Sequence, residues 1–270
     1  MPVFAVTDRS VDNGSATVAR RLASARPPIW VVRILLVVGF LALIQLAVAT
    51  EFLNPFFVPL PTEVIQGVLA GSTDGDYLSL VGVTLSEVFI AFLVAGVAGV
   101  GIGFLFWRFG QIGRAFEPVV AAVFSSPIVM LYPIVLVVMG RRPAAIVTLG
   151  VIFAVLPTIL YTYAALNGVR VTLLNVGRSL GLGSWDMFRH ILLPAAAPSI
   201  FTGLRIALTY VLIVVIAMEY ILQVGGLGLS VAESSLLFRA VDLYVAVGLV
   251  VLISAGFMWL IERLEAVVTK

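Results

Sequence analysis

The feature that most constrains this chain is a succession of apolar runs too long for a soluble core. Six stand out: Ile29–Thr50, Leu78–Trp107, Ile112–Gly140, Pro143–Leu166, Pro194–Leu222 and Leu243–Val267. About 20 apolar residues of helix cross a bilayer's hydrocarbon core, and every run reaches that length. The longer ones predict tilt, or loop structure at their ends. Strand-length alternation is absent, so the spans read as helices and not as a barrel. Composition agrees, at 61% hydrophobic and 11% charged residues, where soluble domains are about half apolar and a quarter charged. The expected fold is an all-α membrane protein with six transmembrane helices. Residues 1–28 are polar, contain arginines and lack the apolar core of a signal peptide. They predict a flexible cytoplasmic tail ahead of a membrane domain over residues 29–270.

Arginine placement orients the spans. With the N-terminus inside, Arg9, Arg20, Arg21, Arg26, Arg108, Arg114, Arg170, Arg178, Arg189, Arg263 and Lys270 all fall on the cytoplasmic side. The outside keeps Arg141, Arg142 and Arg239, and the pair Arg141-Arg142 runs against the trend. The segment 51–77 carries Glu51, Glu63, Asp74 and Asp76 and no basic residue, as an external loop should.

Several chemistries are excluded by residue type. There is no cysteine, and His190 is the sole histidine, so disulfides, thiolate metal sites and histidine clusters are ruled out. A phosphate-binding P-loop needs a lysine in a glycine-rich turn, and the only lysine is Lys270. If transport is ATP-driven, the ATP site lies on another chain. A net charge of +2 implies no nucleic-acid partner. Little remains from which to build a catalytic nucleophile and base. On the second span, Ala91, Ala95, Gly99 and Gly103 recur every four residues, a stripe that lets helix backbones approach closely.

The segment 168–194 breaks the apolar pattern with VTLLNVGRSLGLGSWDMFRHILLP. It predicts two short helices joined by a glycine hinge. In the first, Val169, Leu173, Val176 and Leu180 recur at helical spacing, with Thr172 as a candidate N-cap. Gly181 and Gly183 are the candidates for left-handed geometry. Ser184 is placed to cap the second helix, on which Trp185, Phe188 and Leu192 share a face. Pro194 then opens the next span.

The spacing of Gly181, Ile191, Leu193 and Pro194 resembles the cytoplasmic "EAA" loop of ABC importer permeases. The stretch LLPAAAPSIFTGLRIALTYVLIVVIAMEYILQVGGLGLSV resembles nitrate/sulfonate/taurine-type permeases, as do PFFVPLPTEVI and EPVVAAVFSSPIVMLYPIVLVVMG upstream. The resemblance covers about Pro55 to the C-terminus. It implies a type I ABC importer permease whose loop is a coupling helix. That helix would dock on an ATPase subunit through Asn175, Gly177, Ser179, Leu180, Gly181, Gly183, Trp185 and Phe188. The family's Glu-Ala-Ala triplet falls on Asn175-Val176-Gly177 here, so the loop lacks its acidic residue. The resemblance further implies a homodimer in the cell's inner membrane, two ATPase subunits carrying ATP and Mg, and an extracytoplasmic binding protein. The substrate class it implies is nitrate, sulfonates, taurine or small heterocycles. The rival reading is a secondary transporter or channel. That reading calls for inverted repeats and paired membrane carboxylates, neither of which is evident.

Candidate pathway residues follow from polarity inside apolar spans. Glu219, in VLIVVIAMEYIL, is costly in a membrane and must face the bundle interior, a partner or water. Its alternatives are a translocation role, with neighbouring Tyr220, and a structural hydrogen bond to a helix end or to the Gly225–Gly228 turn. Ser125, Ser126, Pro127, Tyr132 and Pro133 break the third span. With Thr209 and Tyr210 they are candidates for a polar path, or for hydroxyls bonded back to their own helix. Glu87 is expected to snorkel or to meet an arginine, at a point where relatives often carry a basic residue. Arg205 is expected at the interface, or paired with Asp186 or Glu117.

Overall fold

The computed structural model describes residues 28–71, 74–126 and 128–268. Residues 1–27 of the predicted tail, Pro127 and Lys270 lie outside the described residues. By contact the chain divides into Met1–Pro55 and Phe56–Lys270. The first unit holds helix α1 (Ile29–Ala49), in which only Val48 is buried. A helix apolar on all sides is a membrane span.

The second unit holds α2 (Pro61–Gly71), α3 (Gly75–Arg108), α4 (Gly110–Ser125), α5 (Tyr132–Met139), α6 (Pro143–Asn167), α7 (Val171–Ser179), α8 (Ser184–Leu222), α9 (Gly226–Leu236) and α10 (Ala240–Val268). Five helices, α1, α3, α6, α8 and α10, are long and apolar enough to cross a membrane. The remaining expected span is present but divided between α4 and α5. Ser126 is extended, at φ −79° and ψ 154°, because the ring of a following proline pushes the preceding residue out of helical space. A 3₁₀ turn, Ile128–Leu131, then leads into α5, where Pro133 sits in the first turn and costs no hydrogen bond. Gly140, at φ +76°, closes α5.

Two corrections concern helix ends. α7 has Arg170, not Thr172, at its N-cap. The second short helix does not stop at Pro194 but runs through it to Leu222. A proline in a regular helix clashes with the carbonyl four residues earlier, which is His190. A π-helical turn over Phe188–Leu192 widens the helix at that place, so the chain passes Pro194 without breaking.

The small-residue stripe does what its spacing predicts. Ala91, Ala95, Gly99 and Gly103 are all buried, and α3 packs along α6. A Cβ on Gly103 would lie 2.7 Å from Thr162 Cβ and 2.8 Å from the Ile159 carbonyl oxygen. Gly150 meets Ala91 in the same seam. Gly103→Leu should therefore force the helices apart and destabilise the protein by about 1–3 kcal/mol. Gly101→Leu should leave thermal unfolding near that of the wild type, because open space surrounds Gly101. Comparing the two midpoints in nanodiscs checks this.

Candidate functional site

The α7–α8 corner is built from its glycines. Gly181 adopts φ +71°. Its N–H donates to the Arg178 carbonyl at 3.0 Å, and the Leu182 N–H donates to the Gly177 carbonyl at 3.1 Å. This pair of bonds is a Schellman closure, which satisfies the last carbonyls of a helix and needs a left-handed residue. Gly183 is the exception to the expectation: at φ −64° it is extended, so only Gly181 carries the left-handed turn. Ser184 is the first helical residue, and no side chain caps α8.

Gly177 is buried, and a Cβ there would lie 2.6 Å from Met187 Sδ and Ile191 Cδ1. The two helices of the corner thus lie directly on one another. Phe188 anchors the corner to the end of α3: its ring meets Phe104 at 5.2 Å and Trp107 at 6.4 Å. Neither aromatic of α3 was singled out from sequence, although their spacing of three puts them on one helical face. Trp185 stacks on Phe188 at 5.8 Å and is 68% exposed. Leu180, Asn175 and Ser179 are also exposed. Asn175 Oδ1 accepts from Arg178 Nη1 at 3.0 Å, and Ser179 donates to the Asn175 carbonyl. The result is a firm apolar knob on an aromatic base. Beside it lies a cavity of about 580 Å³ lined by Phe104, Trp107, Arg108, Ser184, Trp185 and Phe188.

Three of the expected pathway hydroxyls are satisfied within their own helices. Ser125 and Ser126 both donate to the Ala122 carbonyl at 2.9 Å, and Thr209 donates to the Arg205 carbonyl at 3.0 Å. These hydroxyls bond back to their own helices. Tyr210 packs edge-on against Phe124 at 5.4 Å, and Tyr132 packs against the main core. Tyr220 does face open space, in an apolar cavity of about 560 Å³ with Leu212, Ile216, Gly228, Val231 and Val250.

Glu219 is fully buried. Its Oε2 accepts from the Gly228 N–H at 2.8 Å, and its Oε1 accepts from the Thr84 hydroxyl at 2.7 Å. Thr84 Oγ1 in turn accepts from the Leu227 N–H at 2.9 Å. Glu219 and Thr84 together satisfy orphan donors at the first turn of α9, and the carboxylate lies where the helix dipole favours negative charge. Thr84 escaped the sequence reading, since nothing local marks one threonine among apolar neighbours as a partner of residues far along the chain. Glu87 neither snorkels nor meets an arginine. It is 3% exposed, and its Oε2 is buried without a hydrogen-bond partner among the described residues.

Two arginines also differ from expectation. Arg205 pairs with Glu265 of α10 and not with Asp186 or Glu117. Arg141 donates from Nε to the Leu222 carbonyl at 3.1 Å. It caps the C-terminus of α8, which is a structural reason for a basic residue that departs from the charge count.

With this geometry in place, the chain can be compared with known proteins. The profile of binding-protein-dependent transport system inner membrane components matches residues 88–270. The nitrate import permease protein NrtB of Synechocystis sp. is 28% identical over 215 residues, 78% of this chain and 74% of the relative. The putative aliphatic sulfonates transport permease protein SsuC of Escherichia coli is 26% identical, over 87% and 92% of the two chains. The taurine transport system permease protein TauC of Escherichia coli is 24% identical, over 77% of each. Among solved structures, a chain of the inward-facing MetNI methionine ABC transporter superposes with a TM-score of 0.59. It is 20% identical and is covered to 99%, against 79% of this chain. A continuous match over most of the membrane helices, with the corner at Gly181 inside it, shows that the chain belongs to the binding-protein-dependent transport system inner membrane components, the permeases of ABC importers.

Proposed function

We propose that two copies of this chain form the translocation pathway of an ABC importer, powered by two cytoplasmic ATPase subunits that hold ATP and Mg. An extracytoplasmic binding protein delivers a small solute of the nitrate, sulfonate, taurine or small-heterocycle class. The N-terminus lies in the cytoplasm, as the arginine distribution indicates. The observation that carries the reading is the exposed knob of Leu180 and Trp185, held rigidly against Phe104 and Trp107 of α3 through Phe188. A push on that knob is transmitted to two long membrane helices at once, which suits a rocking, alternating-access mechanism. The apolar groove at Tyr220 is then a wall of the path or of the copy–copy seam. Glu219 acts behind it, by holding α9 in place.

Gly181→Val tests the coupling role cleanly. No atom stands within 4 Å of a Cβ at this position, so the cost is confined to the left-handed backbone, about 1–2 kcal/mol. The helix closure loosens and the knob loses its aim. Membrane insertion should stay normal while transport and binding-protein-stimulated ATPase activity of the complex fall together. Unchanged coupling in the mutant complex would show that the ATPase docks elsewhere.

A further inference from the structure

The apolar groove beside Tyr220 leads to a charge. Its α8 wall includes Leu212, Ile216 and Tyr220, and its α10 wall holds Val250 and Ser254. On α8, Arg205, Thr209, Leu212, Ile216 and Tyr220 follow one another every three or four residues, so they share one helical face. On α10, Val250, Ser254, Met258, Ile261 and Glu265 do the same. The two faces are joined where Arg205 Nη2 donates to Glu265 Oε2. Along α8 this ion pair stands between the groove and the α7–α8 corner.

Arg205 is the sole cation of the stretch Pro194–Leu222. It stands about 16 Å along the helix from Pro194 and about 25 Å from Leu222, within the hydrocarbon depth of a bilayer. An arginine at that depth must face protein, a partner or water, and its side chain is 40% exposed in the single chain. The guanidinium is also incompletely used. Nε is buried and has no hydrogen-bond partner among the described residues. A guanidinium presents Nε and Nη as a fork that matches two oxygens of one anion. Glu265 meets it through Nη2, and the Nε arm stays unused. An oxyanion in the groove can take both arms. Exchange of one anion for another leaves the guanidinium paired throughout, so the arginine is never left as a bare charge in an apolar groove. Glu265 lies in the last turn of α10, which keeps the released carboxylate close to the membrane surface.

We propose that Arg205 is the anion-recognising residue of the transport path, and that Glu265 is its exchangeable counter-charge, replaced on the guanidinium by the oxyanion group of a passing solute such as nitrate or a sulfonate. The proposal rests on the importer reading above and narrows its solute class to those that carry an oxyanion.

The first test is NMR of the full chain in nanodiscs, labelled with ¹⁵N-arginine and titrated with sodium nitrate or sodium methanesulfonate at constant ionic strength. Sodium chloride is the control, since a single centre cannot bridge both arms of the fork. The Nε–H signal that is missing from Arg205→Lys should move saturably with an oxyanion and much less with chloride. Glu265→Gln removes the competing carboxylate and should lower the half-saturating concentration about twofold or more. A signal that ignores both oxyanions, or follows chloride equally, would overturn the proposal. So would half-saturation unchanged in Glu265→Gln. The second test is uptake by proteoliposomes that also hold the ATPase subunits and the binding protein. Arg205→Gln should lower ATP-driven oxyanion uptake about tenfold or more, the effect of losing one hydrogen bond to a charged group, and Arg205→Lys should recover part of it. Equal uptake by Arg205→Gln and the wild type would overturn the proposal. ATP-driven uptake of an uncharged pyrimidine, with neither oxyanion carried, would overturn it and leave the importer reading standing. Oxyanion uptake without ATP that is lost in Arg205→Gln would support the role of Arg205 and contradict the importer reading.

Discussion

Gly228→Val should be among the most damaging single substitutions in this protein. A Cβ at Gly228 would lie 2.5 Å from Glu219 Cβ, 2.6 Å from the Ile216 carbonyl oxygen and 2.7 Å from the Tyr220 backbone nitrogen. Two of these are backbone atoms of α8 and cannot swing aside. α9 must move away from α8, which breaks the Gly228-to-Glu219 hydrogen bond as well as the packing. Overpacking alone costs about 1–3 kcal/mol, and an unsatisfied buried carboxylate adds to it. The expected result is a clear fall in thermal unfolding midpoint and in the yield of assembled transporter. Gly225→Ala is the matched control. Its backbone is extended and the nearest atom stands at an ordinary 3.5 Å, so it should behave like the wild type.

Glu219→Leu should be comparably severe for a different reason. Leucine fills the space but leaves the Gly228 N–H and the Thr84 hydroxyl without their partner. Each stranded buried polar group costs about 1–3 kcal/mol. Glu219→Gln should lose far less. Its amide oxygen can accept from the Gly228 N–H in place of Oε2, and its NH₂ can donate to Thr84 Oγ1 in place of Oε1. Thermal unfolding of the two variants separates a hydrogen-bonding role from a charge role. If Gln falls as far as Leu, the negative charge at the α9 N-terminus is what matters. If both stay near wild type, Glu219 does not hold α9.

Much of this architecture was legible because it is dictated locally. Apolar length located four of the five long helices to within a few residues, while α8 begins ten residues before the expected Pro194. Ser126, Pro127 and Pro133 marked the break in the third span, and Gly181 and Gly183 were the two candidates for left-handed geometry, of which Gly181 adopts it. The seam along Ala91, Ala95, Gly99 and Gly103 follows from helix periodicity. The complementary small positions on α6, Gly150, Ala154, Thr158 and Thr162, carry the same four-residue spacing and could have been read with it. α2 was hidden inside the acidic segment between the first two spans, although Pro61 at its start is a standard opening signal.

What stayed hidden depends on which helices lie side by side. Thr84 and Glu219 are far apart in the chain, as are Arg205 and Glu265, and no local pattern assigns one to the other. The continuity of α8 through Pro194 was also obscured, because the relieving π turn leaves no mark in the residue pattern. The pathway candidates were chosen for polarity within apolar runs. Three of them, Ser125, Ser126 and Thr209, bond back to their own helices. The open apolar groove at Tyr220 is lined instead by aliphatic residues that polarity would never single out.

The most direct measurement is uptake into proteoliposomes carrying this chain, with and without its ATPase subunits, in the presence of the binding protein. The account predicts accumulation only when the ATPase is present and ATP is supplied on its side of the membrane, with accumulation lost in Gly181→Val. Equal uptake by the chain alone, without ATP, would contradict it.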